Sequence, residues 1–560
     1  MRIKNKERFW FCSLVGLVTL MFIWRVPYGN GGWDEPFYLT LADRVVKGDA
    51  LLSEEWHPTQ LTGFLLAPIM ALYRLFVHTT EGILVNFRYI YVVYHVAVTF
   101  GIYHILKKYK YLRMIAALFY MLYIPLQIIN FSYNSIGLSM TVISMLLLMT
   151  MERFSIVRCI GIGIAFAIAT IACPHQAALY VVYTLVIAVL CIKSAIQKKF
   201  DKELLKTWGF ITIGISIVSV IFAVFILSRA SVNEILTNLK FILDDTWHSI
   251  PFKQKVLDYK SALFFIYGNY IWIWLAIPMV ALLDRGRSKR TWIYFPVMAV
   301  TVIINIIQNW NAEGSNYVMF PIVFLGLLAF ILLKEKDWKT FFIGYVGGFL
   351  YTFCKHLSSM LRMDAICLAS VLMGIVAVLY IGQLFVQVKQ EMKKVGWLLC
   401  VSVASFFTIQ ISSEIYMDMT TSYWMESIWG ENQTLTEGPL KGVIMEKSKA
   451  ASDVLSLNDI KFVKDLPAGK ILFVAKRTWY HLYADMEYGT PSAWCEVIDD
   501  SLVLRIMDYF ELHPDKKADY IYIGAGEGWD YSSVERIAPY YGYGKVTFTN
   551  RGCFLERTEY

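Results

Sequence analysis

Gly31-Gly32-Trp33-Asp34-Glu35-Pro36-Phe37-Tyr38 stands just beyond an apolar run from Phe9 to Val26, and the reading of this junction decides the fold. About 17–25 apolar residues suffice to carry a helix across a bilayer, so the run is a candidate span. Arg2, Lys4, Lys6 and Arg8 precede it, as they would a secretory leader. No small-x-small cleavage site follows, and the chain goes on as Pro27-Tyr28-Gly29-Asn30, so an uncleaved first span is expected. An acidic pair this close to a membrane exit is costly unless it meets water or a buried partner. Asp34 and Glu35 are therefore the first candidates for chemistry.

The composition around the junction agrees. Of 560 residues, 57% are hydrophobic, 16% aromatic and only 17% charged, where a soluble protein carries about a quarter charged. Thirteen apolar runs of spanning length or nearly so are present, from Phe9–Val26 and Leu84–Leu106, through Leu112–Ile129, to Ala365–Val386 and Val395–Ile411. The net charge of +8 gathers in short clusters between these runs, such as Lys107-Lys108-Tyr109-Lys110 and Arg285 to Arg290. That is the positive-inside pattern, not the footprint of a nucleic-acid partner. The connections Asn130 to Asn134, Pro174 to Gln176 and Gln308 to Asn316 carry no Lys or Arg, and fall on the opposite side. The expected architecture is a polytopic α-helical membrane protein of about 13 transmembrane helices, with the N-terminus cytoplasmic.

An odd number of spans sends the tail outside. Residues 1–411 form the transmembrane part, with outer loops at 27–83 and 228–261, and residues 412–560 an extracytoplasmic domain. Strand-like runs at Lys470–Ala475, Tyr520–Gly524 and Lys545–Thr549 alternate with helix-like runs at Lys447–Lys464 and Glu496–Leu512, which predicts an α/β domain. Gly524-Ala525-Gly526-Glu527-Gly528 follows a strand without a helix-opening pattern after it, so no nucleotide loop is read there. Nine cysteines include no CxxC; Cys495 and Cys553 in the tail are either free or bridged. Within loop 27–83 an amphipathic helix is expected around Tyr38–Lys47, with Asp43, Arg44 and Lys47 on its polar side, then an interfacial apolar helix at Leu61–Phe76.

Trp33-Asp34-Glu35-Pro36-Phe37-Tyr38 continues through Ala42-Asp43, Lys47-Gly48-Asp49, His57-Pro58 and Leu65-Leu66-Ala67-Pro68. This stretch resembles the first outer loop of the GT-C superfamily of membrane glycosyltransferases, especially the branch of protein O-mannosyltransferases and lipid A aminoarabinose transferases. Thirteen spans and an outer C-terminal domain are similar to that branch as well. The resemblance implies transfer of a sugar from a polyprenyl-phosphate carrier to an acceptor protein, lipid or glycan outside the cytoplasm, with inversion. Asp34 would be the general base and Glu35 a supporting carboxylate. Where that branch often carries Lys or Arg before two prolines, this chain has His57-Pro58-Thr59.

Other residues stand where they could serve such a site. Lys355, His356 and Arg362 lie in one connection and could meet the carrier phosphate, as could His57. Trp310, Asn311 and Glu313, in the run Gln308 to Tyr317, suit a sugar ring, whose hydroxyls take hydrogen bonds and whose apolar face packs on indole. Tyr133, Asn134 and His175 lie at other outer span ends. Asp244, Asp245 and His248 form an acidic cluster with a histidine that could bind a divalent cation, or a solvated turn. Each of these also has an ordinary structural role open to it, and Asp34 in particular suits the start of a helix with Pro36 in its first turn. A transporter or flippase of lipid-linked saccharides, and a polymerase using the same substrates, are the competing readings.

Overall fold

The computed structural model describes residues 2–32, 34–197, 201–243, 250–268, 294–309, 316–358, 363–391, parts of 405–422, and 426–430, 432–494, 500–524 and 542–558. Among them five helices are long and apolar enough to cross a membrane: Lys6–Arg25, Ile83–Ile105, Pro174–Ile196, Lys202–Leu227 and Val371–Gln390. Shorter apolar helices, including Tyr133–Met149 and Ile156–Ala172, pack among them. In chain order the first nine helices are α1 (Arg2–Arg25), α2 (Asp34–Val46), α3 (Leu61–Phe76), α4 (Ile83–Ile105), α5 (Leu112–Met121), α6 (Tyr133–Met149), α7 (Ile156–Ala172), α8 (Ala177–Ile196) and α9 (Lys202–Leu227). Small residues set the closest approach. A Cβ on Gly163 of α7 would lie 2.1 Å from the Ile211 carbonyl oxygen of α9, so only glycine lets these backbones meet. The outward residues of α8 and α9, among them Val181, Leu185, Val220, Ile221 and Val224, are apolar and exposed, as lipid contact requires.

Two expectations change here. The run Leu112–Ile129 is helical only to Met121. Pro125 lacks an N–H and disfavours helical geometry before it, and Ile124 is extended at φ −111°, ψ 114°. The chain then passes through a short turn at Pro125–Gln127 and stays buried from Ile128 through Ser132. The second concerns α2. It starts at Asp34, ahead of the stretch Tyr38–Lys47, and is buried from Glu35 through Val45, so it is not amphipathic against solvent. Asp43 and Arg44, expected on a wet face, are enclosed and ion-paired because the C-terminal domain covers them. α3 packs on α2 through Gly63 and the Leu41 carbonyl. At its far end Leu72, Leu75 and Phe76 are exposed, as suits a helix at a membrane interface.

The C-terminal domain is a five-stranded sheet in the order Glu487–Tyr488, Lys470–Val474, Tyr520–Gly524, Gly552–Glu556, Lys545–Phe548. The first three strands are parallel and the last two antiparallel. Alternation fills both faces. Leu472, Val474, Ile521 and Ile523 pack against Val503, Ile506 and Tyr509 of helix Asp500–Leu512. Phe473, Tyr522 and Phe554 pack with Leu457 and Tyr480 on the other side. The buried Trp56 of loop 27–83 joins the first of these cores, so the loop and the domain share apolar contacts. The Cys553 thiol is buried in the central sheet, and Cys495 lies outside the described residues.

Candidate active site beside helix α2

The two adjacent acids part company at the first turn of α2. Asp34 is its first residue and is half-exposed, whereas Glu35 is 1% exposed. Glu35 accepts from Arg88 Nε at 2.6 Å and Nη2 at 2.6 Å, Asn130 Nδ2 at 2.9 Å and the Gly31 N–H at 2.9 Å. Arg88, on α4, also donates to the Val26 and Gly29 carbonyls, at 2.7 and 2.9 Å. Burial opposes the Glu35 charge, but the Arg88 guanidinium with Asn130 and Gly31 outweighs it and holds the carboxyl below its ordinary range. Glu35 is thus a lock that fastens the start of α2 to α4. Asp34 remains at the rim.

Helical spacing gives Asp34 two neighbours on its own face. Successive side chains turn by about 100° around an α-helix, so residues three and four along flank the first on either side. Here these are Phe37 and Tyr38, and each begins a separate chain of contacts.

The Tyr38 arm runs into the helical body. The Tyr38 ring lies 6.0 Å from that of Tyr133, which opens α6 behind a capping box made by Ser132 and Ser135. Lys355 Nζ sits 3.7 Å from the centre of the Tyr133 ring. Lys355 is 1% exposed, and among the described residues no acceptor lies within hydrogen-bond range of its ammonium. The ring face attracts the charge, but far less than an anion would. Two more buried polar atoms have no hydrogen-bond partner among the described residues: Asn134 Oδ1, next to Tyr133, and Gln176 Nε2, on the turn after α7. His175 is on that same turn. Lys255 itself is used structurally, donating to the Leu357 carbonyl at 2.8 Å while His356 Nε2 meets the Lys255 carbonyl at 2.9 Å.

The Phe37 arm runs into the C-terminal domain. The Phe37 ring lies 4.6 Å from His57 and 5.0 Å from Trp494, and His57 and Trp494 are 5.6 Å apart. His57 is fixed by its N–H to Glu55 Oε1 at 2.9 Å, and its Nδ1 accepts from the Thr59 N–H at 3.2 Å. The Thr59 hydroxyl also lies 2.8 Å from that Nδ1. Trp494 is held by stitches between residues 490–493 and loop 27–83. Arg44 donates to the Thr490 carbonyl at 2.6 Å, the Trp56 backbone N–H to the Pro491 carbonyl at 2.7 Å, and Ala493 N–H to Glu55 Oε2 at 3.4 Å.

The structure therefore groups Tyr133 and Lys355 on one arm and puts His57, read as a phosphate contact, with Phe37 on the other, while Asp34 stands at the helix start ahead of both. Arg362, Trp310, Asn311, Glu313, Asp244, Asp245 and His248 lie outside the described residues. Sequence reasoning passed over Arg88, Asn130 and Trp494. Arg88 carried a usable signal, as a lone cation near the start of an apolar span that needs a partner. Trp494 carried none, because only the folded tail brings it to α2.

No protein-family model matches the chain. No curated protein sequence matches it either. Among solved structures it is similar to the archaeal oligosaccharyltransferase AglB from Archaeoglobus fulgidus in complex with an inhibitory peptide and a dolichol-phosphate, at 9% identity over 99% of this chain and 75% of that one, TM-score 0.48. It is similar also to ArnT from Cupriavidus metallidurans bound to undecaprenyl phosphate, at 12% identity over 98% of this chain and 97% of that one, TM-score 0.47.

Proposed function

We propose that this chain is an integral membrane glycosyltransferase of the GT-C type, moving a hexosyl or pentosyl group from a polyprenyl-phosphate carrier to an acceptor on the extracytoplasmic face. Its N-terminus is cytoplasmic in this reading, its tail from residue 412 extracytoplasmic, and the membrane the plasma membrane. The observation that carries the proposal is the half-exposed Asp34 one helical turn from Tyr38, whose ring neighbours Tyr133 and the buried Lys355 ammonium, which has no acceptor among the described residues. The resemblance of residues 33–68 to the first outer loop of that superfamily adds to it.

The chemistry follows from those groups. Asp34 takes the proton of the acceptor hydroxyl as its oxygen attacks the anomeric carbon. The bond from that carbon to the phosphate oxygen breaks on the opposite face, and its electron pair leaves with the polyprenyl phosphate. A phosphate leaving group needs no acid when a cation and donors stabilise its charge, a role suited to Lys355 with Gln176 and His175. Attack opposite the departing bond inverts the anomeric centre. Incubating the purified protein with a panel of polyprenyl-phosphate sugars and acceptors, and measuring freed polyprenyl phosphate and acceptor mass, tests the proposal. One-sugar mass increments with inverted linkage are expected; no release from any donor would count against it.

A further inference from the structure

We infer that Trp494 and His57 form a saccharide platform for the acceptor, supplied to the site jointly by the C-terminal domain and loop 27–83. The inference rests on the glycosyltransferase reading and adds to it the substrate class on the side away from the carrier. An in-line displacement needs the leaving group and the nucleophile on opposite sides of the reacting carbon. The cation with no acceptor among the described residues stands on the Tyr38 arm, so the leaving phosphate belongs there. Asp34 lies between the arms, and the Phe37 arm is left for the hydroxyl it deprotonates.

The groups on that arm suit a sugar. The Trp494 indole is half-buried, standing edge-on to Phe37 at 90° and tilted 34° from the His57 ring. A half-buried indole offers a flat apolar surface to the C–H face of a pyranose, and an imidazole beside it can bond a hydroxyl. A charged peptide or a lipid headgroup would ask for cations or acids here. The described contacts of this arm instead spend Glu55 on Arg44 and the backbone, Glu55 Oε2 lying 2.7 Å from Arg44 Nη1, and spend the rest of Arg44 on Asp49, Tyr509 and backbone carbonyls. The placement is also specifically held. Residues 490, 491 and 493 are each tied to loop 27–83, so the indole is positioned by the domain interface, not by a free loop.

Binding of a panel of neutral and N-acetylated oligosaccharides to the full chain in lipid nanodiscs tests this without requiring turnover. The wild-type protein should bind at least one saccharide. Trp494→Ala should weaken it about tenfold or more, as loss of an aromatic anchor does, and Trp494→Phe should recover part. If Trp494→Ala unfolds, Trp494→Phe against Trp494→Leu reads the same contrast. Saccharide affinity unchanged in folded Trp494→Ala, or peptides bound and no saccharide, would overturn the platform. Failure of the transferase reading shows separately, as sugar transfer that survives in Asp34→Asn.

Discussion

Arg44 and Lys355 are both enclosed cations, and they are used in opposite ways. Arg44 has acceptors on every side: Asp49, Glu55 at 2.7 Å, the Thr490 carbonyl at 2.6 Å, the Glu54 carbonyl and the Tyr509 hydroxyl at 3.3 Å. Lys355 has one aromatic face and no acceptor among the described residues. A buried charge that is fully paired is a fastening, and removing it exposes its partners' charges to a poor solvent. A buried charge without a counter-ion costs the fold stability and persists where an anion is to be received. In the proposed function the completed cluster holds the site together and the incomplete one receives the carrier phosphate.

The contrast can be broken at its strong end first. Arg44→Met should destabilise the protein by about 3–5 kcal/mol, because Asp49 and Glu55 stay buried without their cation. Thermal unfolding of the solubilised protein reads this, and an unchanged midpoint would show that Arg44 fastens nothing. Lys355→Met should do the reverse, leaving the midpoint equal or higher. At the same time it should weaken polyprenyl-phosphate binding by about 10- to 100-fold, the worth of a charge-assisted contact. A loss of stability with unchanged carrier affinity would place Lys355 among the fastenings.

Glu35 offers a pH test of the same distinction. Its folded-state pKa lies below the ordinary value of 4.5, so its contribution is present above that pH and is lost as pH falls through the folded value. The unfolding temperature should therefore drop on acidification below about pH 4.5, and Glu35→Gln, less stable at neutral pH, should flatten that acid limb. The smallest effect belongs to the rim. Lys47 meets the 38%-exposed Asp485 at 2.9 Å. Asp485→Asn should change stability by only about 0.2–1 kcal/mol, and less at high salt.

The apolar runs and the tail's alternation were readable because periodicity and length are local properties. Tyr520–Gly524 is a strand over the span expected, and Lys470–Val474 falls one residue short of it. The start of α2 was legible from Asp34 and Pro36, which suit a first helical turn. What escaped depended on tertiary cover. Asp43 and Arg44 look like solvent-facing residues in any window of sequence, and only the domain lying over α2 makes them internal. Lys355 is a candidate for the carrier phosphate on sequence alone, but its burial was not readable there, since burial without a partner has no sequence signature. The separation of Asp34 from Glu35 needed Arg88, fifty-three positions away.

Polyprenyl-phosphate release by wild-type and Asp34→Asn proteins, with a donor that the wild type consumes, tests the central claim most directly. Removing a general base from the reacting hydroxyl should slow release by about 100- to 10,000-fold with the unfolding midpoint unmoved. A folded Asp34→Asn protein releasing carrier at the wild-type rate would contradict it.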